Sequence, residues 1–286
     1  MLELYKSLAN SIGGLNSALK IAVINAENIN TPGYKYVSAS FTTLYGQLVS
    51  GGTDKTNPIS YGGSMTLGAT NTDFSQGNIG QGTALDVAVV GEGFFIISKS
   101  AGDTDSSTKA YTRLGRFQLD SSNNTLVDAF GRKVYGFQVD SAGNQLNDTL
   151  VAVQSDGNKD IGFTANGVLA GNFTAHTEDV KAGINPPRAL IPLYKLALTT
   201  FPNKQGLASL EGTAFGETVA SGVPDTEGTA LEGQYGSIVP QSLEASNTDV
   251  PTVALNMAML NRVYSATQGL LDDVNKIMSG LISKLQ

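Results

Sequence analysis

The residue best suited to acid–base or metal chemistry is the single histidine, His176. It lies in a polar segment with Glu178 and Asp179, where an imidazole could act as a base or bind a metal ion. The chain has no second histidine and no cysteine, so a common zinc or iron site cannot be completed. A Ser-His-Asp triad would depend on His176 alone. We therefore interpret His176 as a solvated loop residue.

The carboxylates and glycines also give no pattern of a reactive site. Gly91 and Gly93 flank Glu92, but the third glycine and the lysine of a phosphate-binding loop are missing, and a strand-like run follows. The aspartates form no calcium-loop pattern and no recognisable acid–base pair, and Asp272 and Asp273 fall on the polar face of a predicted helix. No catalytic, cofactor-binding or metal-binding residue is predicted. No cofactor is expected, and the protein is not expected to be an enzyme.

The composition argues against several further classes. The 286 residues carry a formal net charge of -7, whereas a nucleic-acid-binding protein needs a basic patch. Aromatic residues beside basic ones, as at Tyr111, Arg113, Arg116 and Phe117, could bind single-stranded nucleic acid. Their alternation in strand-like segments instead favours a core with a charged rim. The sequence contains no run of about 18 apolar residues, so membrane insertion is not predicted. No cleavable secretory signal is recognised.

Two stretches carry an apolar repeat that alternates by four and three residues, which is typical of helices that bury a seam against other helices. The predicted seam of the first stretch consists of Met1, Tyr5, Leu8, Ile12, Leu15, Leu19, Ala22, Ala26 and Ile29. The predicted seam of the last stretch consists of Val253, Met257, Leu260, Tyr264, Leu271, Val274, Met278, Leu281 and Leu285. Because both repeats continue for about four heptads, we predict that the two helices pair. The alternative is that each packs separately on the rest of the protein.

Between these helices, residues 85–219 contain short apolar runs separated by frequent turns, among them the hairpin signal Asn166-Gly167. Residues 35–84 and 220–244 are rich in Gly, Ser and Thr and are predicted to be extended connectors. The predicted fold class is α+β, with paired N- and C-terminal coiled-coil-like helices plus an antiparallel all-β domain. The helical domain is expected to comprise residues 1–34 and 245–286, and the β domain residues 85–219.

Four motifs resemble, in order, the signatures of the bacterial flagellar axial proteins, the family of rod and hook subunits. They are residues 28–35 (NINTPGYK), 85–95 (LDVAVVGEGFF), 111–120 (YTRLGRFQLD) and 243–250 (LEASNTDV). The first resembles the family's opening signature, the next two its β motifs, and the last the beginning of its C-terminal helix. The length suits either a distal-rod subunit or a minimal hook subunit, and the choice between them stays open.

This resemblance implies a structural subunit that self-assembles helically into the flagellar rod or hook and transmits torque in motility. In such an assembly, the residues of the two predicted seams are expected to form the interface with the terminal helices of neighbouring subunits. The implied partners are copies of the same chain, other flagellar rod and hook proteins and the flagellar type III export apparatus, without nucleic acid or membrane insertion. The implied location is the basal body and hook, from the periplasm to the cell exterior, reached without a cleaved signal peptide.

Two other classes of function stay open. One is a non-flagellar binding module, whose β domain would hold a ligand while the helices form an oligomerisation stalk. The other, with the least support, is a carboxylate-based hydrolase of cell-wall glycan, for which no acid–base pair is identified.

Overall fold

The computed structural model describes residues 2–43, 48–50, 59–60, 64–100 and 108–284. The helices in this part of the chain are α1 (Leu2–Glu27), α2 (Phe173–Lys181) and α3 (Val250–Ser283). The strands are β1 (Val37–Thr43), β2 (Leu48–Ser50), β3 (Ile59–Ser60), β4 (Met65–Thr72), β5 (Ile79–Gln81), β6 (Val87–Val90), β7 (Phe94–Ser98), β8 (Lys109–Thr112), β9 (Phe117–Leu119), β10 (Leu126–Asp128), β11 (Tyr135–Gln138), β12 (Val151–Ala152), β13 (Ile161–Phe163), β14 (Val168–Gly171), β15 (Ile191–Leu196), β16 (Leu198–Thr199), β17 (Ala208–Ser209), β18 (Ala214–Gly216), β19 (Ser237–Pro240) and β20 (Ser242–Glu244). The α+β class is confirmed, whereas the coiled-coil geometry of the terminal helices stays a prediction.

The chain forms two units that interleave along the sequence. The helical unit contains α1, the described residues of 36–73, and α3. The β unit contains residues 30–35 and the described residues of 74–247. Within the helical unit, β1 pairs with β4 in an antiparallel ladder, and α1 contacts β1, β4 and α3.

These boundaries differ from the expected ones, because both expected connectors contribute ordered strands. In the first, Val37, Ala39 and Phe41 alternate along β1 and line an apolar groove of the helical unit. In the second, Ile238 and Leu243 are buried in the β unit, where β19 pairs with β6 and β20 pairs with β5. Averaged composition hides such segments, since polar residues alternate with the apolar ones that are buried.

The β unit is built from antiparallel strands around two apolar clusters. Its larger sheets have the orders β12-β11-β15-β14-β13 and β16-β7-β8-β18-β17. Strand β7 is buried on both faces: Phe95 and Ile97 lie in one cluster, and Phe94 and Ile96 lie in the other. The ring of Phe95 meets that of Phe117 edge to face, with centroids 5.4 Å apart. The continuous apolar sequence of β7 is therefore the sequence of a strand that separates two cores.

Helix α2 lies in the connection between β14 and β15, and it overturns the interpretation of His176 as a loop residue. The carboxylate of Asp160 caps this helix by accepting hydrogen bonds from the backbone N–H groups of Thr174 at 2.8 Å and Ala175 at 3.2 Å. Nδ1 of His176 lies 2.6 Å from the carbonyl oxygen of Arg188. The cap is separated from Thr174 by 14 positions in the sequence, so a search for local capping motifs misses it.

An ion pair closes the segment that follows α2 and gives it a titration signature. Arg188 donates hydrogen bonds from Nε and Nη2 to the two carboxylate oxygens of Asp179, at 2.8 and 3.0 Å. These bonds lower the pKa of Asp179 from 3.8 to about 2. Because the folded-state pKa is depressed, the contribution of this pair to stability is complete above pH 3.8 and is lost as the pH falls through about 2.

We expect the carboxyl carbon of Asp179 to titrate near pH 2 in an NMR titration, and we expect Arg188→Gln to return its pKa toward 3.8. Asp140 is the internal control, because the backbone N–H of Asn144 is the main cause that lowers its pKa. An Asp179 titration that is the same with and without the Arg188 guanidinium would contradict this assignment.

Candidate assembly interface

The predicted seam of α1 lies on the side of the helix that is least exposed. Leu15 and Ala22 are buried, and the other members with described side chains are partly buried, namely Tyr5, Leu8, Ile12, Leu19, Ala26 and Ile29. Met1 lies outside the described residues. The buried stripe also includes Gly14, Ala18 and Asn25, which the heptad pattern does not select. A straight helix with 3.6 residues per turn drifts from a strict seven-residue repeat, and this drift brings Ala18 and Asn25 inside.

Polar side chains of α1 fix the helix against the β1–β4 ladder. Asn25 donates from Nδ2 to the carbonyl oxygen of Val37 at 2.7 Å and accepts the Val37 N–H at Oδ1 at 3.0 Å. Near the other end of the helix, Ser11 Oγ accepts the N–H of Met65 at 3.1 Å. Asn25 is 1% exposed, and its amide satisfies the first residue of β1. The position of α1 on the ladder is therefore set by hydrogen bonds as well as by apolar packing.

The predicted seam of α3 coincides with the less exposed side of that helix. Val253 and Val274 are buried, and Met257, Leu260, Tyr264, Leu271 and Met278 are partly buried. Leu281 is exposed, and Leu285 lies outside the described residues. The helix begins at Val250, where Asp249 Oδ2 accepts the N–H of Thr252 at 3.2 Å and Pro251 occupies the first turn.

A second apolar stripe of α3 is exposed in the described structure. We call it the outer stripe and define it as Leu255, Met259, Val263, Leu270 and Ile277. At about 100° per residue, the outer stripe lies roughly 100° around the helix from the predicted seam. Leu255 is 62% exposed and Leu270 is 57% exposed. A helix with two apolar faces, of which its own unit covers one, presents the other as an interaction surface.

Helix α3 is also longer than the helix it contacts. It has 34 residues, whereas α1 has 26. At a rise of 1.5 Å per residue these lengths are about 51 and 39 Å. Part of α3 therefore extends beyond the length of α1.

A groove of about 350 Å³ opens between α1, β1 and α3 within the helical unit. Its wall is largely apolar and includes Leu15, Ile21, Phe41, Met259 and Val263. Because Met259 and Val263 also belong to the outer stripe, the groove and the stripe form one continuous apolar surface.

The residues considered for chemistry form no candidate metal site in the described ranges. Within those ranges, His, Cys, Asp and Glu side chains form no group of three or more that could hold a metal ion. None of the described helices combines the length and the apolar character that a membrane span requires. Asp272 and Asp273 are exposed on α3, where Asp273 accepts a hydrogen bond from Lys276 at 3.4 Å.

The fold and this surface define a class of protein: an α+β protein whose C-terminal helix leaves an apolar stripe exposed in the described residues. Comparison with known proteins agrees with that class. Residues 88–169 match the family model described as flagellar hook protein FlgE/F/G D1 domain. The flagellar basal-body rod protein FlgG of Agrobacterium fabrum is 28% identical over 291 residues, which cover 98% of each chain.

Two further relatives extend this comparison. The rod protein FlgG of Bacillus subtilis is 26% identical over 97% of this chain and 98% of its own length. The hook protein FlgE of Helicobacter pylori is 36% identical over 158 residues, which are 50% of this chain and 21% of the hook protein. Together, the family model and these relatives support a place for the chain in the flagellar axial family of rod and hook proteins.

Adjacent glycines in α1 provide a test of how this helix packs. A Cβ at Gly14 would lie 3.1 Å from the backbone nitrogen of Leu67, whereas the described atoms leave open space around a Cβ at Gly13. Replacing either glycine by leucine is expected to stabilise the helix by about 0.8 kcal/mol, because leucine has the higher helix propensity. Overpacking at Gly14→Leu adds a cost of about 1–3 kcal/mol. We expect urea unfolding followed by far-ultraviolet circular dichroism to show that Gly13→Leu stabilises the helices and that Gly14→Leu destabilises them. Equal effects of the two substitutions would contradict the packing of α1 on β4.

Proposed function

We propose that this chain is a structural subunit that self-assembles helically into the bacterial flagellar rod or hook and transmits torque in motility. The observation that carries the proposal is the outer stripe of α3, which leaves large apolar side chains in solvent along a helix already packed on one side. The rod and hook relatives support a structural role rather than an enzymatic one.

We propose that α1 and α3 pair through their seams in the manner of a coiled coil, while the outer stripe packs against terminal helices of neighbouring copies. Each large apolar side chain removed from water contributes roughly 1.5–3 kcal/mol. Five such residues along one stripe would therefore supply a substantial driving force for association, repeated at every subunit of a polymer. A helical polymer satisfies this arrangement because every copy can then offer one surface and receive another.

Within the flagellum, the distal rod is the placement that we propose. The match to the rod proteins extends over 98% of this chain and of the Agrobacterium relative, whereas the match to the Helicobacter hook protein covers 21% of that protein. The proposed partners are copies of the chain, other rod and hook proteins and the flagellar type III export apparatus. The proposed route to the basal body is export without a cleaved signal peptide.

The outer stripe can be tested with one introduced charge at two positions on the same helix. Leu270 belongs to the stripe, whereas Ser265 is exposed and lies on neither apolar face. Because an aspartate cannot be buried cheaply in an apolar contact, we expect Leu270→Asp to prevent formation of tubes or helical polymers in negative-stain electron microscopy of concentrated protein. We expect Ser265→Asp to assemble as the unmodified chain does.

Circular dichroism of the dilute variants supplies the folding control, since both substitutions lie at exposed positions. Normal polymers from the Leu270→Asp variant would contradict the proposal that the outer stripe packs against neighbouring copies. Small closed oligomers of the unmodified protein in place of polymers would favour the binding module with a helical stalk.

A further inference from the structure

The β unit contains a buried ionic cluster centred on Glu244. The Glu244 side chain is 0% exposed, and it pairs with Lys35 through Nζ and Oε1 at 2.6 Å and with Arg113 through Nε and Oε2 at 3.2 Å. Arg113 also donates from Nη1 to the carbonyl oxygens of Gly91 at 2.8 Å and Gly93 at 2.7 Å. The cluster therefore includes three charged side chains, all of them buried and all hydrogen-bonded.

The same cluster holds the backbone of two separate segments. Glu244 Oε1 accepts the N–H of Gly77 at 2.8 Å, and the backbone oxygen of Glu244 accepts the N–H of Gly33 at 2.8 Å. Lys35 Nζ donates to the carbonyl oxygen of Ser75 at 2.7 Å. One carboxylate thus joins residues that are up to 209 positions apart in the sequence.

These residues lie where the chain passes into and out of the β unit. The unit takes up the chain at residues 30–35 and again from residue 74, and it releases it after residue 247. We call residues 30–35, 74–78 and 244–247 the crossing segments. Further hydrogen bonds join them, from the N–H of Ala245 to Asn78 O at 2.8 Å and from Asn247 Nδ2 to Ser75 O at 3.1 Å.

Burial of charges at this location requires a physical reason, because desolvation opposes it. A buried ion pair often adds less stability than apolar side chains of the same volume, and its best-attested benefit is to specify one arrangement. The three crossing segments contain few apolar side chains with which to specify their register. Directional hydrogen bonds to one fixed carboxylate can do so.

We propose that Glu244 is a positioning residue, which fixes the three crossing segments in one register and so determines where the chain leaves the β unit. The close approach of Gly77 to the third segment agrees with this role, since a Cβ on Gly77 would overlap the carbonyl oxygen of Ala245. This inference goes beyond the proposed assembly, because the contacts among the crossing segments form within a single chain and need no neighbouring copy.

The test is amide hydrogen exchange on the full-length, unassembled protein. Glu244→Gln removes the charge that pairs with Lys35 and Arg113 and keeps an acceptor for Gly77. Loss of one partner of a buried ion pair is strongly unfavourable. We expect exchange at the amides of Gly33, Gly77 and Ala245 to become roughly a hundredfold faster. Amides of β7 and β8 are expected to change by less than about twofold.

The matched control is a separate buried ion pair of the β unit, in which Arg132 Nη2 lies 2.6 Å from Asp128 Oδ2. Asp128→Asn also removes a buried carboxylate charge. It is expected to speed exchange only around Phe130 and Arg132, whose backbone N–H groups donate hydrogen bonds to Asp128 Oδ1. A Lys35→Met, Glu244→Gln double variant is expected to open the crossing segments less than the two single variants combined, because the residues act through one contact.

Gly77→Ala provides a second route to the same result without any change of charge, and it is expected to speed exchange in the crossing segments selectively. The proposal is overturned if Glu244→Gln leaves exchange at those segments unchanged. It is also overturned if both Glu244→Gln and Gly77→Ala accelerate β7 and β8 as much as the crossing segments, since Glu244 would then act only as a general stabiliser.

Discussion

Burial of apolar side chains on α3 is the interaction on which the organisation of this protein depends. The helix carries apolar residues on two faces, and its own unit covers only the face that contains Val253 and Val274. A single neighbouring helix can cover about one face of another, and α1 is shorter by eight residues. In the proposed assembly the remaining face is covered by neighbouring copies, which would couple the stability of the helix to the presence of partners.

The packing of α1 gives a physical reason why the proposed association can be specific. Asn25 and Ser11 form hydrogen bonds with the backbone of residues at the two ends of the β1–β4 ladder, so α1 cannot slide along it without leaving buried polar groups unpaired. Apolar contacts alone tolerate such sliding, because they have little directionality. The polar contacts of α1 therefore fix the surface on which α3 packs, and through it the direction in which the outer stripe is presented.

Much of this architecture could be predicted from the sequence, and the differences have physical causes. The helix repeats identify α1 and α3, and the sequence Asn166-Gly167 marks the turn between β13 and β14, where both residues have positive φ. The role of Asn25 is missed because a polar residue outside the apolar seam of a helix is predicted to lie on the solvent-exposed face. Helix α2 is missed because Asp160, which caps it, is distant in the sequence. The outer stripe is hidden because a search for one heptad seam selects a single face of a helix that has two.

The β unit places its directional interactions where apolar packing cannot define a register. In its interior, β7 separates two clusters, and interlocking side chains such as Phe95 and Phe117 leave few alternative arrangements. The crossing segments have few apolar side chains, and their buried backbone groups need hydrogen-bond partners. Glu244, Lys35 and Arg113 supply these partners. Replacing that cluster with apolar residues could preserve burial, but it would leave the N–H of Gly77 without its acceptor. The ionic cluster is therefore explained by the backbone it must satisfy rather than by the stability it adds.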